Sequence, residues 1–235
     1  MTYFEKLQFV KSKAVEYLKT IYKVYGNELL LKLEDYNLLS NPDNCIKSST
    51  APGFIMEEFA ASKLITFTSG NDGERDIAVK KIVGVSTVGA SYDCFTEFGG
   101  VRFLINFKAE KLGGTNSGIA AINKLHNDYV NSDPETVKSF LVLKTVYDYD
   151  VSKKDGERKI FVKDVKAFCL EEIDFTGGHK QDHRNWSEEF KKASGRLQVD
   201  DKFLREHALA ANAISYEKTR GFIERMFGGD AADKQ

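Results

Sequence analysis

The sequence predicts an α/β fold of the α+β kind, a mixed β-sheet flanked by helices, and three observations carry that expectation. Apolar residues recur at helical spacing from Phe4 to Tyr25 (Phe4, Leu7, Val10, Ala14, Leu18, Ile21) with Lys and Glu between them. The period drops to two across VRFLINFKA, where Val101, Phe103, Ile105 and Phe107 fall on one face and Arg102, Leu104, Asn106 and Lys108 on the other. Helical and strand-like segments then follow in the order α-α-α-β-β-α-β-β-loop-α, which interleaves the two kinds of element.

The first helix is expected to end near Gly26, and residues 27–38 read as a second, short helix. The polar stretch SNPDNCIKSSTAPG is a loop. FIMEEFAASKLI fits a third helix that carries Glu57 and Glu58 side by side; neighbours on a helix point about 100° apart, so at most one of the two shares the direction of the apolar stripe. KKIVGVSTVGASYDCF and VRFLINFKA read as adjacent strands that turn at Phe98-Gly99-Gly100. A helix is expected from Ser117, strands in KSFLVLKTVYDYD and KIFVKDVKAFCL with a turn at Lys154-Asp155-Gly156, and helix again from Asp201 to Phe227. A frayed tail closes the chain. One domain over 1–235 accommodates all of this, with a core at about 53–172, an irregular polar segment at about 173–198 and a helical region at 199–227.

Bulk properties exclude several classes. With 42% hydrophobic and 29% charged residues and only 3 Pro, the chain is neither disordered nor low-complexity. Cys45, Cys94 and Cys169 form no CxxC pair, which implies a reduced, cytoplasmic protein without a Cys-rich zinc site. No apolar run approaches the roughly 18 residues of a membrane span, so no membrane partner is expected. No GxSxG, Rossmann fingerprint or P-loop lysine stands out.

The chemistry concentrates in SYDCFTEFGGVRFLINFKAEK. Asp93 sits on the first strand of a hairpin, and the second offers Asn106 and Lys108 on one face, continued by Glu110. A carboxylate, a second oxygen ligand and an ammonium beside the attacking water are what metal-dependent phosphodiester hydrolysis requires. A helix-borne glutamate supplies a further ligand or a water contact.

Asp93…Asn106-Phe107-Lys108 resembles the D…(D/E)xK signature of the PD-(D/E)xK nuclease superfamily, in the manner of type II restriction endonucleases. GFIMEEFAASKL resembles the glutamate-bearing helix ahead of that signature, and the likeness covers roughly residues 53 to 198. Two departures stand out: Tyr92 lies where the signature often has proline, and Asn106 replaces its second acid. The resemblance implies a restriction-endonuclease-like fold and Mg²⁺-dependent, sequence-specific cleavage of double-stranded DNA with 5′-phosphate ends. It further implies a homodimer and a cognate DNA methyltransferase. Asp93 becomes the metal ligand, Lys108 the water-positioning group, Asn106 an atypical second ligand through its amide oxygen, and Glu58 an auxiliary; Glu110 or Glu58 is expected to restore the missing carboxylate. A structure-specific repair or recombination nuclease of the same fold, and a DNA-binding protein with a decayed site, are the competing readings.

DNA contacts are expected from Lys111, from Thr115, Asn116 and Ser117 in the GGTNSG loop, where a helix N-terminus favours an anion, and from the late polar segment. There Lys180, Gln181, His183, Arg184, Asn185 and Arg196 are of the types that contact base edges and phosphates. His179 and His183 with Asp182 mimic a metal pair without a third ligand.

The formal net charge is -1, with 34 Lys+Arg against 35 Asp+Glu. The balance is a sum of opposed regions. Residues 27–76 are rich in acids, whereas 101–125 carry Arg102, Lys108, Lys111 and Lys124 against Glu110 alone, so a DNA-facing surface must be local.

Overall fold

A computed structural model describes residues 1–31, 51–70, 75–84, 89–114, 118–149, 158–175 and 196–228. Its centre is a six-stranded mixed sheet of β1 (Glu28–Leu31), β2 (Val79–Lys81), β3 (Cys94–Phe98), β4 (Val101–Lys111), β6 (Lys138–Tyr149) and β7 (Arg158–Cys169), in the order β1-β7-β6-β4-β3-β2. Among the described strands only β4 and β6 run parallel. A parallel neighbour needs a crossover, and the chain makes it through β5 (Gly118–Ala121), α3 (Ile122–His126) and a π-helical turn at Asn127–Asn131. β5 pairs instead with β8 (Arg196–Gln198) in a separate two-stranded ribbon.

Both faces of the sheet are covered. On one lie α1 (Tyr3–Val24) and α2 (Ala51–Ser69), and Leu7, Val10, Leu18, Met56 and Leu64 pack there with Phe103, Ile105 and Phe107 of β4. On the other, Leu104, Phe140 and Val142 meet Tyr129, Tyr216 and Ile223, the last two from α5 (Tyr216–Gly228). The face of β4 that carries Arg102, Asn106, Lys108 and Glu110 is therefore not a solvated one: Asn106 and Glu110 are buried.

α1 starts where expected because Thr2 and Glu5 form a reciprocal capping box, each side chain bonded to the other's backbone N–H. It stops at Gly26, whose φ of 67° suits glycine. The β3–β4 hairpin turns on Gly99 and Gly100, both at positive φ, with Phe98 and Val101 paired around them.

Four expectations change. The stretch KKIVGVSTVGASYDCF is not one strand: β2 takes its start and β3 begins only at Cys94, so Asp93 lies just ahead of the hairpin's first strand rather than on it. The segment after Gly26 is strand β1, paired with β7, rather than a helix. The chain after Ser117 enters strand β5, because Ile119 and Ala120 are buried against β8, and helix begins only at Ile122. The C-terminal helical stretch is divided into α4 (Asp201–Glu206), a short 3-10 turn at Ala211–Ala213 and α5. The turn at 154–156 lies outside the described residues. Among the described residues no helix is long and apolar enough to cross a membrane.

Candidate active site

β3 pairs with β4 only as far as Cys94 and Ile105. Beyond Ile105, β4 runs on for six residues with β6 on one side and, among the described residues, no strand on the other. Backbone groups of alternate residues point to opposite edges of a strand. Arg102 and Leu112 direct their N–H groups toward β6 and its flanks, so Phe107 and Ala109 turn theirs, with their carbonyls, to the open edge.

Two carboxylates close that edge. Asp93 Oδ2 accepts from the Phe107 N–H at 2.7 Å, and Glu57 Oε1 accepts from the Ala109 N–H at 3.1 Å. The Lys108 ammonium lies 3.6 Å from Glu57 Oε2, with both side chains mostly buried. Acid, base and acid thus gather around the stretch of β4 beyond its pairing with β3.

Burial raises the pKa of the Asp93 carboxyl, and the Phe107 N–H and the Lys108 charge hold part of the rise back. Glu57 is raised for the same first reason and pulled down by Lys108 and the Ala109 N–H, while the Asp93 charge pushes it up again. Two acids whose charged forms burial disfavours, beside a cation, are a functional-site signature.

The helix glutamate that bonds the β4 backbone is Glu57, the neighbour of the expected Glu58. Pro52, Met56, Ala60, Leu64 and Thr68 are the buried stripe of α2; at 100° per residue Glu57 lies about 60° from its centre and Glu58 about 160°. Glu58 is exposed, and its charge adds to the rise at Asp93. The buried spacing was the available signal, and the aromatic residues Phe54 and Phe59 obscured it: Phe54 is 65% exposed. Glu57, Glu58 and Asp93 line a cleft of about 460 Å³ with Phe54, Ser62 and Lys81. Lys81, on β2, had no pattern to mark it.

Asn106 is 6% exposed, and its Nδ2 donates to the Ser91 carbonyl at 2.8 Å. Its Oδ1 has no hydrogen-bond partner among the described residues. Glu110 accepts from the buried Lys144 ammonium at 3.0 Å, which also donates to Asp201; neither Asn106 nor Glu110 is brought to the Asp93–Glu57 pair by these contacts. Lys111 ends β4 and Arg196 begins β8, both exposed. Thr115, Asn116, Ser117, Lys180, Gln181, His183, Arg184 and Asn185 lie outside the described residues.

Among the described residues no group of three or more His, Cys, Asp or Glu is placed to hold a metal. Mg²⁺ does not need one: it is held by one or two carboxylates and otherwise by water and substrate phosphate. Asp93, Glu57 and the Phe107 carbonyl are hard oxygen donors at one edge, and the Asp93 charge that disfavours ionised Glu57 is what a divalent cation relieves. The donor set fits.

Compared with models of known protein families and with curated protein sequences, the chain matches none.

Proposed function

We propose that this chain is a Mg²⁺-dependent endonuclease that hydrolyses double-stranded DNA, a restriction enzyme with a restriction-endonuclease-like fold. One observation carries the reading: Asp93 and Glu57 cap successive outward N–H groups of β4 while the intervening residue, Lys108, brings its ammonium to the same edge. Burial disfavours the charged form of both carboxylates at that edge.

Asp93 and Glu57 would hold the ion, which supplies polarisation of a phosphoryl oxygen and a more acidic bound water. The chain's own residues do the rest. Lys108, mostly buried beside Glu57, presents fixed positive charge to the oxygens on which negative charge builds, where water cannot screen it well. The Glu57 carboxylate receives or relays the proton of the attacking water. Attack at phosphorus breaks the bond to the 3′ oxygen, which leaves with a proton, and the phosphate stays on the 5′ end. Cleavage of both strands by a homodimer, cytoplasmic location and a cognate methyltransferase that protects host DNA belong to the same proposal.

Digestion of a plasmid of known sequence with Mg²⁺ tests it. Discrete fragments that vanish in Asp93→Ala and Lys108→Ala are expected. Smearing or cutting confined to branched DNA would turn the reading to a repair or recombination nuclease, and intact but gel-shifted plasmid to a DNA-binding protein with a decayed site.

A further inference from the structure

We infer that Asn106 is a positioning residue that keeps the β4 edge open and Asp93 aimed along it, rather than a metal ligand. The inference rests on the nuclease reading for its consequence in catalysis, but not for its geometry.

The hairpin ladder does not simply run out. Cys94 is the register partner of Ile105, yet the Asp93 N–H also goes to the Ile105 carbonyl, at 2.8 Å. Two consecutive residues face one, the pattern of a β-bulge, and bulges re-aim side chains. Continued two residues further on each strand, the ladder's next bond would join the Phe107 N–H to the Ser91 carbonyl.

That bond is not made, and both of its halves are taken by side chains. The Phe107 N–H donates to Asp93 Oδ2 at 2.7 Å, and the Ser91 carbonyl accepts from Asn106 Nδ2 at 2.8 Å. Ser91 is 4% exposed and its N–H is engaged by Asp128 Oδ2 at 2.6 Å, so an unpaired Ser91 carbonyl would be a costly buried acceptor. Asn106 removes that cost and with it the pull on β3 to close onto Phe107. A closed ladder would take the Phe107 N–H from Asp93 and cover the carbonyl beside it.

This accounts for an amide where the nuclease signature has an acid. Ser91 presents an acceptor, and an ionised carboxylate has no hydrogen to offer it. The orientation of the amide follows too, because rotating it would set oxygen against oxygen while its Oδ1 has no other donor among the described residues to gain. The acid that Asn106 lacks is supplied from α2 by Glu57.

The deciding variant is Asn106→Asp, which is isosteric and restores the signature. A ligand role predicts faster cleavage and tighter Mg²⁺ binding. The positioning role predicts the reverse at neutral pH: a rate loss of at least about tenfold, the scale of one lost buried hydrogen bond, carried by kcat with KM for DNA little changed. Amide hydrogen exchange at Phe107 reads the geometry without any activity and is expected to speed up by a similar factor. Asn106→Thr, whose hydroxyl keeps a donor, should retain more cleavage and more Phe107 protection than Asn106→Asp, and it serves also if the latter gives no cooperative melt. Wild-type-like exchange in both variants, or gain of activity in Asn106→Asp, overturns the inference. If the wild type cuts no DNA, the nuclease reading falls and the Phe107 exchange still decides the role of Asn106.

Discussion

Glu57 and Lys108 face each other at the open edge of β4, with Oε2 3.6 Å from the ammonium, one residue before the N–H that the same carboxylate accepts. The arrangement ties a helix to a strand through the very groups proposed to act on phosphate. It also makes Lys108 the common restraint on two acids, since its charge holds down both Glu57 and Asp93.

The two neighbouring glutamates should separate cleanly. Glu57→Gln keeps an acceptor for the Ala109 N–H but removes the charge from the donor set. Its Mg²⁺-dependent cleavage rate is expected to fall roughly 100-fold or more, the usual scale for groups that act on the reacting atoms. Glu58→Gln, on the exposed side of α2, should stay within about fivefold of wild type. Equal losses in steady-state plasmid nicking would remove Glu57 from its role.

Lys108→Met is expected to shift the pH dependence of divalent binding. Burial already raises Asp93 and Glu57 above their ordinary values, and Lys108 is the charge that holds both back, alongside the backbone N–H groups of Phe107 and Ala109. Both acids then ionise at higher pH, so the acid limb of metal binding moves upward. Terbium luminescence titrated across acid pH gives the comparison, and a limb that moves down or stays in place contradicts the electrostatic role.

How far the sequence reached depends on what encodes each feature. Strong periodicity located α1 and β4, and Phe98-Gly99-Gly100 located the turn between β3 and β4, because helical spacing, alternation and positive φ are local properties. Residues 28–31 and 118–121 misled because their strand state comes from partners distant in the chain, β7 and β8. Asp93 and Lys108 were visible as types at a spacing, and the structure brings both to one edge. Glu57 was hidden behind its neighbour, since choosing between adjacent glutamates needs the centre of the buried stripe. Asn106 and Glu110 lie on the expected face, but that face is covered, so one bonds Ser91 and the other Lys144.

A row of lysines crosses the sheet beside the site: Lys108, Lys144 and Lys166 are successive register partners on β4, β6 and β7. The middle one is 2% exposed and sits 3.0 Å from both Glu110 and Asp201, while the outer Lys166 reaches Asp201 from solvent. Removing one partner of a buried pair strands the other, so Lys144→Met should lower stability by about 3–5 kcal/mol. Lys166→Met, at an exposed bridge, should cost no more than about 1 kcal/mol. Urea unfolding of the two variants checks the contrast, and similar midpoints would mean that Glu110 and Asp201 find other compensation.

Glu171 offers the sharpest pH test, away from the cleft. It is 1% exposed, with Oε1 accepting from Tyr129 Oη at 2.5 Å and the Phe140 N–H at 3.0 Å, and Oε2 accepting from Ser139 Oγ at 2.8 Å. Burial outweighs these donors and pushes the carboxyl from the ordinary 4.5 up to about 7. Between those values the unfolded chain gives up its proton while the folded one keeps it, so this group's stabilisation is whole below 4.5 and is lost as pH rises through about 7. The loss amounts to roughly 3 kcal/mol. Glu171→Gln can accept from Tyr129 and Phe140 and donate to Ser139 without titrating. Its stability relative to wild type should therefore climb as pH rises from 4.5 to 7 and level off above that, as read by denaturant unfolding at each pH. Parallel profiles for the two proteins would place the Glu171 carboxyl back in the ordinary range, with its three donors, rather than its burial, in control.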